Sequence, residues 1–266
     1  MKISFIGAGN MASAIIGAIL DSGRTPPSDI CVFDKISDKA SAFAAKGLRC
    51  AATLKEAVES SAWVLIAVKP QDIENVLEDI KGGCEGYADK TYISIAAGIS
   101  TGFIERILGE CAVVRVMPNT PLLVGCGATA ISRNSRVPDK DFTKICGIFA
   151  SAGTVSVLPE EKMNAVISVN SSSPAYFFMF VKAMIDAGVK QGIDEKIAAS
   201  LAIGAASGAA KMLEQSGMTP EELIRMVKSP KGTTEKALDV FESEDLHGMV
   251  ERAMEACTHR AEELGK

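Results

Sequence analysis

The sequence predicts two domains: an α/β domain built on a doubly wound, mostly parallel sheet, and an all-α domain that follows it. Short apolar runs alternate with amphipathic helical segments over residues 1–159. This alternation is typical of parallel strands joined by right-handed helical crossovers. After Pro159 the strand-like runs stop and the long segments have helical periodicity, so the helical domain is predicted over residues 160–266.

The predicted strands of the first domain are short apolar runs. The first, KISFIGAG, precedes the helix NMASAIIGAILDSG, which ends at Gly23. The second, DICVFD, precedes the helix SDKASAFAAKG, which ends at Gly47. The remaining predicted strands are AWVLIAVKP, TYISIAAG, CAVVRVMPNTP, GATAISR and TVSVLP, and the remaining helices are QDIENVLEDIKGG, STGFIERILG and DKDFTKICGIFASAG.

The helical domain is predicted from four segments. They are EEKMNAVISVNSSSPAYFFMFVKAMIDAGVKQG, DEKIAASLAIGAASGAAKMLEQSG, TPEELIRMVKSP and residues 233–266. The third segment opens on a capping box, Thr219 to Glu222, with Pro220 at the first helical position. The second is rich in small residues, which favours close packing against a partner helix.

Composition narrows the classes of function. The formal net charge is −5, which argues against a nucleic-acid-binding protein. No apolar run approaches the roughly 20 residues that a membrane-spanning helix needs. Apolar residues make up 47 % of the chain, so a packed core is expected.

The seven cysteines include no C-x-x-C pair, so no metal site is expected. Their odd number, and an opening that reads as a strand rather than a signal peptide, predict reduced thiols in the cytoplasm. Most are expected to be small core residues. Cys126 is the expected exception, because it lies in a polar loop. His247 and His259 fall in a predicted helix, and no catalytic role is expected for them.

A glycine-containing loop connects the first strand to the first helix. It reads Gly7-Ala8-Gly9-Asn10-Met11-Ala12. Glycines there permit a tight turn and close approach of the backbone to a pyrophosphate, and the helix N-terminus supplies free N–H groups. The loop therefore predicts a Rossmann dinucleotide site.

The second strand ends in Asp34-Lys35, which bears on the choice of cofactor. An acidic residue at this position usually bonds the ribose 2′-hydroxyl and disfavours a 2′-phosphate, whereas Lys35 would attract that phosphate. Asp34 thus tilts the prediction towards NADH without deciding it. Its alternative role is to cap a helix or to remain a solvated charge.

Six segments resemble the signature stretches of one family, the pyrroline-5-carboxylate reductases. They are FIGAGNMA, LIAVKPQ, SIAAGIS, RVMPNTPLLVGCGATAI, SSSPAYFFMF and SPKGTTEKAL, and they span nearly the whole chain. The resemblance implies reduction of 1-pyrroline-5-carboxylate to L-proline with NADPH or NADH, the last step of proline biosynthesis. It also implies a helical dimerisation domain, with dimers that often assemble further.

The resemblance also carries residue roles. It places the cofactor against the exits of three strands, at Ala67, Val68, Lys69 and Pro70, at Ala97 and Gly98, and at Asn119. The Asn119 amide is expected to orient the nicotinamide carboxamide, or else to bond its own turn.

The segment from Ser229 to Leu238 is predicted to hold the substrate. Gly232, Thr233 and Thr234 begin a helix whose unpaired N–H groups and dipole suit a carboxylate. The resemblance names Ser229 and Thr234 as the substrate-contacting side chains, with Thr234 at the ring nitrogen. It also places an acidic residue near the substrate, Glu161, with Glu160 as the competing position.

The chain departs from the family pattern in two of these segments. Lys228 and Lys231 replace a threonine and a glycine, so Lys231 is expected to be strained if that position needs positive φ. Asn170-Ser171-Ser172-Ser173 stands where the family usually has Ser-Gly-Ser-Gly, which removes two glycines.

Two other functions fit the same architecture. One is a dehydrogenase of the β-hydroxyacid type, which uses a lysine of the helical domain; Lys182 and Lys190 are available, though neither lies in a glycine-rich setting. The other is a non-catalytic dinucleotide sensor, which would not need the hydroxyl-rich helix start.

Overall fold

The computed structural model describes residues 2–23 and 25–265. Within these residues, eight strands form one sheet in the order β3-β2-β1-β4-β5-β6-β7-β8. The strands are β1 (Ile3–Ile6), β2 (Ile30–Phe33), β3 (Arg49–Cys50), β4 (Trp63–Ile66), β5 (Thr91–Ser94), β6 (Ala112–Met117), β7 (Gly127–Arg133) and β8 (Gly153–Val157).

The helices of the sheet region lie between these strands. They are α1 (Asn10–Asp21), α2 (Ser37–Ser41), α3 (Leu54–Glu59), α4 (Ile73–Gly83), α5 (Thr101–Leu108) and α6 (Asp139–Ala150). The predicted doubly wound, mostly parallel sheet is confirmed. Among the described strands β6–β7 is the only antiparallel pair, so β7 and β8 run opposite to the other six. Two small elements, β3 and α3, were not predicted because neither has an apolar run of strand or helix length.

Apolar side chains cover both faces of the sheet. One layer includes Phe5, Ile15 and Trp63, and the other includes Ile66, Leu77 and Tyr92; all are at most 1 % exposed. Burial raises the pKa of the Tyr92 phenol, so the ring stays neutral in the core. A third, smaller cluster joins Met117 and Ala130 of the sheet to Ala261 near the C-terminus.

The helical region contains α7 (Ser173–Lys190), α8 (Glu195–Gln215), α9 (Pro220–Val227), α10 (Thr233–Ser243) and α11 (Leu246–Leu264). The predicted capping box at Thr219 is present, with the Glu222 amide donating to the Thr219 hydroxyl and the Thr219 amide donating to the Glu222 carboxylate. The helix predicted from Glu160 is interrupted. A short 3₁₀ turn at Glu160–Lys162 and a π-helical turn at Ile167–Ser171 precede α7.

The compact units divide the chain differently from the predicted boundary at 159/160. One unit comprises the chain up to Pro174 and from Glu255 onward, and the other is Ala175–Met254. The difference arises because residues 160–174 bond to the sheet through their side chains, and because the end of α11 packs on the third cluster. Periodicity alone identifies these residues as helical but does not show what they pack against.

Candidate active site

The glycine loop has the geometry expected of an anion site. Gly7 has φ +105°, and a Cβ there would lie 2.6 Å from the carbonyl oxygen of Ala67. At Gly9 a Cβ would meet nothing within 4 Å, so the protein's own packing does not require that glycine. The N-terminus of α1 has no side-chain cap and no acidic residue in its first turn. Its amides and the open space above Gly9 therefore suit a pyrophosphate.

Asp34 closes this loop from the end of β2. One carboxylate oxygen accepts from the amide of Ala8 at 2.8 Å and the other from the amide of Ile36 at 2.9 Å. The carboxylate thus orients the glycine loop, a role that the strand-end pattern did not reveal. Each oxygen keeps a second acceptor position, so the predicted bond to a ribose hydroxyl is compatible with this geometry. Lys35 beside it is exposed.

The exit of β4 lies directly against the glycine loop. The amide of Ala67 donates to Ile6 at 2.8 Å, and the carbonyl of Ala67 faces Gly7. Val68 is half-buried, Lys69 is exposed, and Pro70 starts a short 3₁₀ turn. The structure therefore brings this predicted segment to the same edge of the sheet as the loop.

The exit of β5 is covered by the end of α11. Gly98 has φ +83°, and a Cβ there would collide with the carbonyl oxygen of Ala261. The backbone at Gly98 is thus turned towards the C-terminal helix, while Ala97 packs at the margin of the third cluster. Contact of this pair with a cofactor stays a prediction.

Both ends of the Asn119 side-chain amide bond to the protein backbone. Its Oδ1 accepts from the amide of Ala128 at 2.9 Å, and its Nδ2 donates to the carbonyl of Asn170 at 3.1 Å. Only 6 % of the residue is exposed. These bonds cross to β7 and to the π-helical turn, so the amide does not bond its own turn, and its contact with the nicotinamide stays a prediction.

A buried ion pair separates the roles of the two candidate glutamates. Arg115 Nη1 donates to Glu160 Oε1 at 3.0 Å, and its Nη2 donates to Asn164 Oδ1 at 2.6 Å. The same Glu160 oxygen accepts from the amide of Thr101 at 3.2 Å. The Arg115 side chain is 3 % exposed, whereas Glu161 is exposed. Glu160 is therefore a partner of the buried arginine, and a substrate contact of Glu161 stays a prediction.

In the helical unit, the residues from Ser229 to Thr234 form a turn that opens α10. The amide of Gly232 donates to the carbonyl of Ser229 at 3.0 Å, and a Cβ on Gly232 would collide with the Ser229 hydroxyl. Lys231 has φ 60°, which confirms the expected left-handed strain. No side chain caps the helix at Gly232, so the amides of Thr233 and Thr234 suit an anionic ligand.

Glu235 was missed as a member of this turn. Its carboxylate accepts from the amide of Lys231 at 2.8 Å and lies 3.9 Å from Lys228 Nζ. It thereby holds the strained residue in place and balances one of the two added lysines. A glutamate three residues into a helix is the available sequence signal.

An apolar groove adjoins Thr234 within the same unit. It has a volume of about 410 Å³ and is lined by residues of α8, α9 and α10. The lining residues are Ala209, Met212, Leu213, Pro220, Leu223, Ile224, Val227, Thr234 and Leu238.

The prediction that most thiols are core residues holds in part, because three of the seven are buried and two, Cys146 and Cys257, are half-buried. Cys31, Cys84 and Cys111 are buried, and burial raises the pKa of Cys111 to about 11. Cys50 and Cys126 are exposed. In the described part of the chain, no group of histidine, cysteine and acidic residues has the arrangement of a metal site, and no helix is long and apolar enough to cross a membrane.

Comparison with known proteins identifies the same family, with matches over the full length of the chain. Residues 160–264 match the family described as pyrroline-5-carboxylate reductase dimerisation, and residues 2–98 match the one described as NADP oxidoreductase, coenzyme F420-dependent. The pyrroline-5-carboxylate reductase of Escherichia coli (strain K12) is 37 % identical over 267 residues, covering 100 % of this chain and 98 % of that protein.

Solved structures agree with this assignment. Plasmodium falciparum pyrroline carboxylate reductase, crystallised with NADP bound, superimposes with a TM-score of 0.91 at 28 % identity, covering 100 % of this chain and 98 % of the other. The pyrroline-5-carboxylate reductase of Coxiella burnetii superimposes with a TM-score of 0.90 at 33 % identity, with the same coverage.

Proposed function

The chain belongs to the pyrroline-5-carboxylate reductase family, and on that premise we propose that it reduces 1-pyrroline-5-carboxylate to L-proline, the last step of proline biosynthesis. The single observation that carries the proposal beyond similarity is the start of α10. There, uncapped amides and threonine hydroxyls follow a turn that bears two lysines. A carboxylate of a small imino acid fits this combination of donors and charge.

The sheet unit holds the dinucleotide in this proposal. Gly7, Ala8, Gly9, Asn10 and Met11 receive the pyrophosphate, and Asp34 and Lys35 lie at the adenosine ribose. The strand exits complete the site through Ala67, Val68, Lys69, Pro70, Ala97, Gly98 and Asn119. The bound reduced nicotinamide supplies the hydride. Both NADPH and NADH are proposed as cofactors. Asp34 already accepts two amide hydrogens, and the exposed Lys35 can contact the 2′-phosphate of NADPH.

The helical unit holds the substrate. The amides of Gly232, Thr233 and Thr234 bind the carboxylate, with Ser229 adding a hydroxyl. The acidic residue that the resemblance assigns to the substrate, Glu161, belongs to the sheet unit. The Thr234 hydroxyl hydrogen-bonds the ring nitrogen, which arrives protonated and needs no strong general acid. The catalytic contribution of Ser229 and Thr234 is therefore orientation, which can supply on the order of 7–11 kcal/mol.

The proposed assembly is a homodimer or a set of dimers formed through residues 160–266, since the matched family is described as a dimerisation domain. A cytoplasmic location is proposed from the cysteines, because those described are all free thiols. No nucleic acid or membrane partner is proposed.

The substrate assignment is tested by Thr234→Ala. Purified protein is mixed with 1-pyrroline-5-carboxylate and each reduced nicotinamide, and absorbance at the nicotinamide band is followed. The variant is expected to lose about 10- to 100-fold in kcat/KM, the size of one or two lost hydrogen-bond energies. Ser243→Ala, at the other end of α10, is the matched control with wild-type kinetics, because its hydroxyl bonds only the carbonyl of Val240. No oxidation of either cofactor by the wild type would refute the proposed function.

The cofactor assignment is tested by Gly9→Ala. The added methyl enters open space, so the melting temperature is expected to stay unchanged while dinucleotide affinity falls at least tenfold. Gly17→Ala, in the interior of α1 and equally unobstructed, should bind the dinucleotide as the wild type does. Unaltered affinity in Gly9→Ala would remove the pyrophosphate from this loop.

A further inference from the structure

Two asparagines close the ladder between β6 and β7 at the edge where the cofactor loop lies. The antiparallel register pairs Val116 with Ile131 and Met117 with Ala130. Continued by two residues, it would place Asn119 opposite Ala128. The backbone leaves the ladder at Pro118, which has no N–H group to donate.

Side chains replace the missing ladder bonds. Asn119 Oδ1 accepts from the amide of Ala128 at 2.9 Å, and Asn170 Nδ2 donates to the carbonyls of Ala128 at 3.0 Å and Met117 at 2.7 Å. Asn119 Nδ2 then donates to the main-chain carbonyl of Asn170, which links the two residues to each other. Asn170 is 9 % exposed and Asn119 is 6 % exposed, so these bonds are shielded from water.

The bonds fix a π-helical turn, Ile167–Ser171, directly against the end of β6. Such turns are rare and frequently occur at functional sites. The Ser171 hydroxyl lies 2.9 Å from the carbonyl oxygen of Pro118 and 3.1 Å from Asn170 Oδ1, which secures the turn a second time. Because β6 is parallel to β5, β4 and β1, this point lies at the same edge of the sheet as Gly7.

We propose that Asn170 is a positioning residue for hydride transfer: its amide takes the place of a strand and holds the π turn and the Pro118–Asn119 peptide rigid beside the nicotinamide. The proposal rests on the proposed function. It also explains why residues 170–173 differ from the family pattern. The Asn170 side chain holds in place a backbone that glycines would leave flexible.

The same strand pair supplies a matched control at its opposite end. Asn134 Nδ2 donates to the carbonyl of Cys111 at 2.9 Å, and its Oδ1 accepts from the amide of Val113 at 3.1 Å. Asn134 therefore closes the ladder as Asn170 does, but at the edge away from the cofactor loop. Removing either side-chain amide leaves buried backbone groups without hydrogen-bond partners, so both changes should lower the free energy of unfolding by a similar amount.

The experiment compares Asn170→Ala with Asn134→Ala at a temperature where both are folded. Both are expected to melt below the wild type. Asn170→Ala should lose roughly 10- to 100-fold in kcat, as a misplaced reacting pair does, with substrate KM within about threefold and a larger primary isotope effect from deuterated nicotinamide. Asn134→Ala should keep wild-type kcat and isotope effect.

Equal kinetics in the two variants would overturn the proposal and leave Asn170 a stabilising residue only. Should Asn170→Ala fail to fold, Asn170→Ser decides by the same comparison, because one hydroxyl reaches one of the two carbonyls. A wild type that does not reduce the pyrroline refutes the proposed function instead. In that case Asn170→Ala is compared with the wild type in dinucleotide binding, where an unchanged affinity would refute a positioning role as well.

Discussion

The sheet unit and the helical unit bury their apolar side chains to very different extents. In the sheet unit, residues such as Phe5, Trp63 and Phe149 are at most 1 % exposed. In Ala175–Met254, the buried apolar residues among those described are Ala198, Ala202 and Leu223, all small or lying on one short helix. Large side chains there face outward, including Phe177, Phe178 and Leu201 at 64–68 % exposure.

The difference separates two sources of stability. The sheet unit has a core of its own, whereas the helical unit satisfies its backbone within helices and leaves its apolar faces uncovered. Exposed apolar surface of this extent marks an interface with another protein. The matched dimerisation family makes a second copy of this chain the proposed occupant.

The largest expected effect comes from charging the uncovered face. Phe178→Asp combined with Leu201→Asp should dissociate the proposed dimer, since each apolar side chain contributes about 1.5–3 kcal/mol when buried. Size-exclusion chromatography with light scattering measures the mass. Lys182→Gln, on the same helix as Phe178 and equally exposed, should stay dimeric. A double variant that remains a dimer would show that this face is not the interface.

A smaller effect is expected from unpairing the buried arginine of the sheet unit. Glu160→Gln keeps the shape of the side chain but leaves Arg115 with an uncompensated charge, so the free energy of unfolding should fall by about 3 kcal/mol. Glu161→Gln should leave stability unchanged and raise KM for the pyrroline. Denaturant melts and steady-state kinetics check both, and the opposite assignment would follow if Glu161→Gln were the destabilised variant.

Gly98→Ala tests the junction between the β5 exit and α11. Positive φ and the contact with Ala261 should cost about 2 kcal/mol. Gly17→Ala, in the interior of α1 with open space around it, should instead stabilise by about 0.5–1 kcal/mol. Thermal melts measure both, and an unaffected Gly98→Ala would mean that the end of α11 moves aside freely.

The smallest effect is expected from the cap of α9. Thr219→Ala should cost about 1 kcal/mol, a typical value for a lost N-cap. The backbone amide of Glu221 and the Thr219 hydroxyl hold the pKa of the Glu221 carboxyl below its usual value of 4.5. The stabilisation that comes from the ionised Glu221 carboxylate is therefore present at neutral pH, and it disappears as the pH falls through the lowered pKa. Melts at pH 7 and pH 3 should show a smaller loss for Thr219→Ala at the lower pH; an equal loss would contradict the link.

Sequence patterns correctly predicted the elements whose formation depends on neighbouring residues. The strand around Phe5, the glycine loop at Gly7 and the capping box at Thr219 all follow from residues near one another in sequence. The resemblance added the family, which the full-length comparison confirms. The roles given to individual site residues remain predictions.

Apart from the local contact of Glu235 with Lys231, the missed side-chain contacts join distant residues. Asn119 meets Asn170 across 51 positions, and Arg115 meets Glu160 across 45, so no local window contains both partners. A charged residue inside an apolar strand was the signal available for Arg115. The return of α11 to the sheet had no local signal, because its apolar residues are spaced like those of its neighbours.

The packing of Ala261 on Gly98 has a consequence for biosynthesis. Vectorial translation delivers residues 2–174 to the solvent before residues 255–265 leave the ribosome. Throughout that interval the nascent sheet lacks the segment that covers Met117 and Ala130. Folding of the sheet unit is therefore completed only after α11 has been synthesised. A nascent chain stalled before Glu255 would expose Met117 and Ala130 to chaperones.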